Sequence, residues 1–177
     1  MGQYIVLDLE WNQSPLGKDG SMDRLPFEII EIGAVKLNET FQMVDEFHRL
    51  IRPQVYTQMH HAISEVTHMD MKELRNSGEL FPDAAADFLS WCGGDAVFCT
   101  WGNMDLLELQ RNMDYYHMDN PFPKPLFYYD VQKLYGLFCR ENARISLDSA
   151  VEEQSLLENR PFHRALDDAY YTGRVLS

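Results

Sequence analysis

At 177 residues, 45% hydrophobic and 24% charged, the chain has the size and composition of one globular domain, expected to run over 1–177, which excludes disordered and fibrous classes. No apolar run approaches the ~18 residues that cross a bilayer, and the N-terminus carries no basic region ahead of an apolar stretch, so neither a membrane protein nor an exported one is expected. The net charge of −13 repels phosphate and excludes a wide basic surface for long nucleic acid, but it is compatible with a small acidic site that gathers divalent cations.

Gln3 to Leu9 reads as a strand, with Ile5, Leu7 and Leu9 on one face and Val6 and Asp8 on the other. Glu28 to Leu37 and Gln42 to Ile51 follow as an antiparallel pair around Asn38-Glu39-Thr40, and Pro53 stops the pairing. Pro82 opens a helix whose inner face is Ala85, Phe88, Leu89 and Cys92, closed by Gly93-Gly94. Asp95 to Thr100 is a fourth strand, and Gly102-Asn103 turns it into a helix with Leu106, Leu109 and Met113 along one stripe. Leu126 to Tyr129 is a fifth strand. The helix after it is expected to bury Val131, Leu134, Tyr135 and Phe138; a short helix behind Ser146 and a last one from about Arg164 complete the chain. A meander followed by alternating strands and helices is α/β: a five-stranded mixed sheet covered on both faces, with right-handed crossovers giving the order 3-2-1-4-5. Function is expected where the order reverses, between the first and fourth strands.

Cys92, Cys99 and Cys139 are odd in number, form no CxxC pair and sit in apolar stretches, where they read as small core residues of a protein of the reducing cytoplasm. His60-His61 with His68 fits no compact zinc pattern.

Asp8 and Glu10 leave the same face of the first strand, and two like charges on one buried face call for a cation. The competing reading puts Glu10 past the strand end in water and makes Asp8 a turn cap. Asp105 falls in the first turn after the fourth strand, where an acid complements the helix dipole but also emerges beside the end of the first strand. In the last helix Ala165, Asp168, Ala169 and Thr172 share a face of short side chains that lets the helix approach the sheet and turns Asp168 inward, with Asp167 on another side. His163 precedes that helix, and an imidazole there can take a proton from water near neutral pH.

These residues resemble the DEDDh exonucleases, a superfamily of ribonuclease H-like fold. Asp8-Leu9-Glu10 looks like its first motif, Asp105 behind Trp101-Gly102-Asn103 its second, and His163 with Asp168 five residues on its third. The short D-x-E is weak alone; the ordered set is specific and spans Tyr4 to about Val175. Phe27-Glu28-Ile29-Ile30-Glu31-Ile32-Gly33 is similar to the Eri-type and histone-mRNA exonucleases. The resemblance implies a three-layer ribonuclease H-like fold and 3′-5′ hydrolysis of single-stranded nucleic acid, RNA in preference to DNA, to nucleoside 5′-monophosphates. It implies that Asp8, Glu10, Asp105 and Asp168 hold two Mg²⁺ or Mn²⁺ ions and that His163 is the base. His61-Ala62-Ile63-Ser64 resembles the loop that normally reads Gly-Ile-Thr and lies against the terminal nucleotide, with Ala62 in place of the glycine. Trp11-Asn12 stands where the family often has a threonine. Trp11, Asn12, Ile63 and Trp101 are accordingly the expected substrate contacts, with Tyr128 and Phe162 as further stacking candidates and Arg160, Arg164 and Lys124 as candidate phosphate contacts. The runner-up is an acidic, metal-binding interaction module that kept the fold and lost turnover.

Overall fold

The structure is a computed structural model that describes residues 2–140 and 144–177. Its first half is built on three long strands, β1 (Gln3–Asn12), β2 (Glu28–Leu37) and β3 (Met43–Leu50). β2 has the expected bounds and β3 is one residue shorter at each end. β1 runs three residues beyond the expected Leu9, because Glu10 still pairs with Glu31 and a bulge after it lets Trp11 and Asn12 continue along β2. Glu10 is therefore in the ladder and half-buried, which overturns the reading that put it past the strand end in water.

Two helices that no sequence periodicity announces follow, α1 (His61–Thr67) and α2 (Met71–Ser77). At seven residues each they are too short to display a helical repeat. The one local signal was Asp70 ahead of Glu73, whose N–H donates to the Asp70 carboxylate at 2.8 Å as an N-cap. His61-Ala62-Ile63-Ser64 is thus the first turn of α1 and not an extended loop. Next come α3 (Phe81–Cys92), β4 (Ala96–Thr100), α4 (Met104–Tyr115), β5 (Tyr128–Asp130), α5 (Val131–Cys139), α6 (Leu147–Glu153) and α7 (Ala165–Leu176). β4 pairs parallel with β1 and β5 parallel with β4, giving the order β3-β2-β1-β4-β5 expected from the crossover rule.

The strand alternation sorts the core into two layers around the sheet. Ile5, Leu7, Leu9 and Phe98 pack under Phe81, Ala85 and Phe88 of α3 and Leu106, Leu109 and Met113 of α4. Val6, Val35, Leu37 and Cys99 face α7 through Leu166, Tyr170 and Val175, so Asp8, on the Val6 side, looks toward α7. α5 departs from expectation. It buries Val131, Tyr135 and Gly136 and leaves Leu134, Leu137 and Phe138 exposed. Apolar residues occupy most of this short helix, so periodicity could not choose a face; Gly136 and the Tyr135 ring, 6.1 Å from Trp101, make it. Cys92 and Cys99 are buried, whereas Cys139 is half-buried, and all three are free. No helix among the described residues is long and apolar enough to cross a membrane.

The approach of α7 depends on one missing side chain. Gly33 pairs with Asp8 in the ladder, and a Cβ built on it would lie 2.1 Å from the main-chain carbon of Ala165 and from the nitrogen of Leu166. Backbone cannot yield as a side-chain tip can, so Gly33→Ala must lift the start of α7, and Asp168 with it, off the sheet. Overpacking of this kind costs about 1 to 3 kcal/mol. Gly33→Ala is expected to lower the melting temperature and to weaken Mn²⁺ binding in a titration; a variant with unchanged melting and unchanged Mn²⁺ affinity would refute the close approach.

Candidate functional site

The strand order reverses between β1 and β4, and the acids gather toward the carboxyl ends of those strands. One carboxylate oxygen each from Asp8 and Glu10 on β1 and Asp168 on α7 lie within 4.8 Å of one another. Asp105 arrives from the other layer. Gly102, at φ 105°, makes the sharp turn after β4 that a side chain would resist, α4 starts two residues later, and the Leu9 N–H donates to Asp105 Oδ1 at 3.1 Å. Asp105 is buried, and its charge is the first of the neighbouring charges felt by Asp8.

Asp168 is fixed from the turn that precedes α7. His163 has φ 64°, and its main-chain N–H donates to both carboxylate oxygens of Asp168, at 3.3 and 3.2 Å. The His163 side chain is exposed. Sequence reasoning missed Glu31, a fully buried carboxylate opposite Glu10. Arg164 Nε donates to it at 3.1 and 3.2 Å and Nη2 at 2.8 Å, the Ala165 N–H at 3.0 Å, and His48 Nε2 lies 2.7 Å away. Its signal in the sequence was a glutamate inside the apolar run Ile29-Ile30-Glu31-Ile32. Arg164, read as a phosphate contact, is committed to this glutamate. Arg160 is paired with Asp167 at 3.1 Å and lies over the Tyr170 ring at 4.0 Å.

The remaining expected contacts divide. Trp11 is half-buried with its ring 5.6 Å from Phe27, and Ile63 packs beside Ile30 and Met69. Trp101 is half-buried, and its buried indole N–H has no partner among the described residues. Tyr128 packs on the α3–α4 layer, and Phe162 stacks on Tyr171 at 4.8 Å. Asn12 is wholly buried, so its side chain cannot touch a ligand. Its Nδ2 donates to the carbonyls of Tyr56 and Gln58 at 3.0 and 2.9 Å, and its Oδ1 accepts from the His60 N–H at 2.9 Å. With Glu28 on β2, which accepts from the N–H groups of Gln54, Val55 and Tyr56, it ties the segment leading into α1 to the β1–β2 pair.

Burial, then the charges of Asp105, Asp168, Glu10 and Glu31, pushes the Asp8 carboxyl far above its ordinary value. Burial and the charges of Asp168, Glu31 and Asp105 raise Glu10 to about 8, against a small pull from Arg164. Asp105 rises to about 7 through burial, held back by main-chain N–H donors including that of Leu9. Asp168 also rises to about 7, through burial and the charges of Asp167, Glu31 and Asp105, against the His163 N–H. For Glu31 burial acts upward too, but the bonds from His48, Arg164 and Ala165 outweigh it and leave that carboxyl below its ordinary 4.5.

A carboxyl whose pKa is higher in the fold than in the unfolded chain stabilises the fold fully only below the unfolded value, and that contribution is lost as pH rises through the folded value. For Glu10, Asp105 and Asp168 the window runs from about 4 to about 8. Glu31 acts in the opposite sense, but only as pH falls below that window. The cation-free protein is expected to melt at steadily lower temperature between pH 5 and 8.5, with each kcal/mol worth ~2 to 4 °C at this size. Mn²⁺ should restore most at the upper end. Cation-free melting that rises across the window would contradict the clustered geometry.

The three clustered carboxylates, with the buried Asp105 carboxylate near them, include no sulfur or imidazole, a chemistry that suits hard divalent cations. The sequence over residues 5–176 matches the family model RNase_T, described as Exonuclease. A DNA polymerase III of PolC type from Thermotoga petrophila is 33% identical over 174 residues, covering 97% of this chain and 11% of the polymerase. The chain thus spans about a tenth of that protein. The probable 3′-5′ exonuclease KapD of Bacillus subtilis is 28% identical over 175 residues, 93% of this chain and 78% of KapD. The nuclease domain of 3′hExo, a DEDDh family member bound to rAMP, superposes with a TM-score of 0.80 at 23% identity, over 98% of this chain and 89% of that one. Exonuclease I of E. coli in complex with a dT13 oligonucleotide gives 0.77 at 15% identity, over 99% and 40%.

Proposed function

The chain belongs to the RNase_T exonuclease family, and from that premise we propose that residues 1–177 act as one 3′-5′ exonuclease domain of the DEDDh type with a divalent-metal-dependent activity. It removes nucleotides from the 3′ end of single-stranded nucleic acid, RNA in preference to DNA, in the reducing cytoplasm. The observation that carries this reading is the convergence of Asp8, Glu10 and Asp168 oxygens within 4.8 Å beside the Asp105 carboxylate. Nothing but cations relieves so much like charge in so small a space without protonating the acids.

Asp8, Glu10, Asp105 and Asp168 would hold two Mg²⁺ or Mn²⁺ ions. When bound, such ions lower the pKa of the attacking water and stabilise the leaving 3′ oxygen. His163, exposed at the rim, accepts the proton of that water; a bond forms from the water oxygen to phosphorus, the bond to the 3′ oxygen breaks, and a nucleoside 5′-monophosphate departs. The Leu9 N–H holds Asp105, and the His163 N–H holds Asp168, so neither carboxylate needs to be reoriented when the substrate arrives. Trp11, Ile63 and Trp101 are the side chains proposed to meet the terminal nucleotide, and Asn12 serves by holding the segment that delivers α1.

The test is a time course on matched 5′-labelled RNA and DNA oligonucleotides with Mn²⁺, Mg²⁺ or EDTA. Stepwise shortening from the 3′ end, abolished by EDTA and faster on RNA, is expected. Shortening from the 5′ end, or activity that survives EDTA, would refute the reading. Mn²⁺ binding without turnover on either substrate would favour a metal-binding module that has lost catalysis.

A further inference from the structure

One buried and heavily hydrogen-bonded charge is not used by the reaction above. Glu31 is fully buried on β2, directly across the ladder from Glu10, and it adds a fifth carboxylate beside four that already repel one another. Such a placement is costly, and an apolar pair of similar volume would anchor α7 to the sheet as well. What an apolar pair could not do is fix an orientation. Arg164 meets Glu31 through Nε and Nη2, and the N–H of Ala165 adds a third donor on the second carboxylate oxygen. The gripped residues, 164 and 165, lie between His163 and Asp168. The same short turn is held at its other end by the His163 N–H on the Asp168 carboxylate, with His163 in the left-handed region at φ 64°.

We propose that Glu31 and Arg164 are positioning residues that set the angle of the His163–Asp168 turn over Asp8 and Glu10, and so align the Asp168 carboxylate with its cation and His163 with the attacking water. The assignment of those partners rests on the exonuclease reading. Ion pairing also explains why a glutamate is used: with its charge matched by Glu31, Arg164 is kept from pairing with Glu10, which must remain free for a cation. His48, half-buried on β3, closes the remaining side of Glu31 at 2.7 Å and stops the carboxylate from rotating away from the guanidinium.

The experiment compares the wild-type chain with Arg164→Lys, Glu31→Gln and the double variant Glu31→Gln/Arg164→Met, by thermal melting, by Mn²⁺ affinity from electron paramagnetic resonance, and by kcat and KM on a single-stranded oligonucleotide. Arg164→Lys keeps the charge but loses the planar fork, and should lower kcat by about 10- to 100-fold with KM changed less than about threefold, and weaken Mn²⁺ by about tenfold. The double variant removes the buried charges together and should recover melting temperature while kcat and Mn²⁺ affinity stay low. Full kcat and full Mn²⁺ affinity in Arg164→Lys, or recovery of all three measurements together in the double variant, would reduce the pair to a structural clamp and overturn the proposal. If the wild type binds Mn²⁺ yet degrades no oligonucleotide, the exonuclease reading fails by itself, and the Mn²⁺ affinities of the variants still decide whether the pair positions Asp168.

Discussion

Asp8→Asn is expected to lower nucleotide release by about 10³-fold or more while raising the melting temperature of the cation-free protein, because removing one cation ligand forfeits several kcal/mol of transition-state stabilisation. Both effects come from one cause. Asp8 lies where burial and the charges of Asp105, Asp168, Glu10 and Glu31 all disfavour its ionised form, so the neutral amide relieves the fold at the point where the chemistry needs charge. The gain should shrink as pH falls, since a protonated Asp8 already resembles the amide. Mn²⁺ should then raise the melting temperature of the variant far less than that of the wild type. The outcome that sinks the argument is a variant with near-normal turnover, or one whose cation-free form melts lower than the wild type across pH 7 to 8.5.

Most of this centre was legible because each acid is placed by a local rule. The side-chain alternation of β1 puts Asp8 and Glu10 on one face, and the short residues Ala165, Ala169 and Thr172 turn the Asp168 side of α7 toward the sheet. Right-handed crossover then brings β4, and Asp105 behind it, alongside β1. What escaped is non-local. Glu31 looks out of place in its strand until Arg164, 133 residues later, is brought against it, and no periodicity connects the two. Asn12 illustrates the converse error. Its place where the resembling family often has a threonine suggested a ligand contact, but it lies past the bulge, wholly buried, and the carbonyls of Tyr56 and Gln58 claim its amide. Phe162 and Tyr128 were ambiguous for a simpler reason, since an aromatic ring that stacks on a base and one that stacks on Tyr171 or fills the core have the same sequence. The exposed face of α5 failed because Leu134, Leu137 and Phe138 offered the helix a second apolar side.

His163→Asn is expected to cost about 10²- to 10⁴-fold in kcat, the usual contribution of a positioned general base, with little change in Mn²⁺ affinity. The asymmetry follows from how the residue is attached. His163 touches Asp168 through its main-chain N–H alone, so replacing the side chain leaves the bond that orients the carboxylate. Asparagine is the appropriate substitute because the residue sits at φ 64°, a region that Asn enters more readily than Ala or other L-residues. A glutamine here would resist that backbone and confuse a lost base with a displaced turn. If His163 takes the proton, added imidazole or a stronger buffer base should recover part of the rate. A variant that keeps its rate, or that loses Mn²⁺ binding in proportion to its rate, would mean that the ring plays no part in proton transfer and that the turn contributes only its main-chain donor.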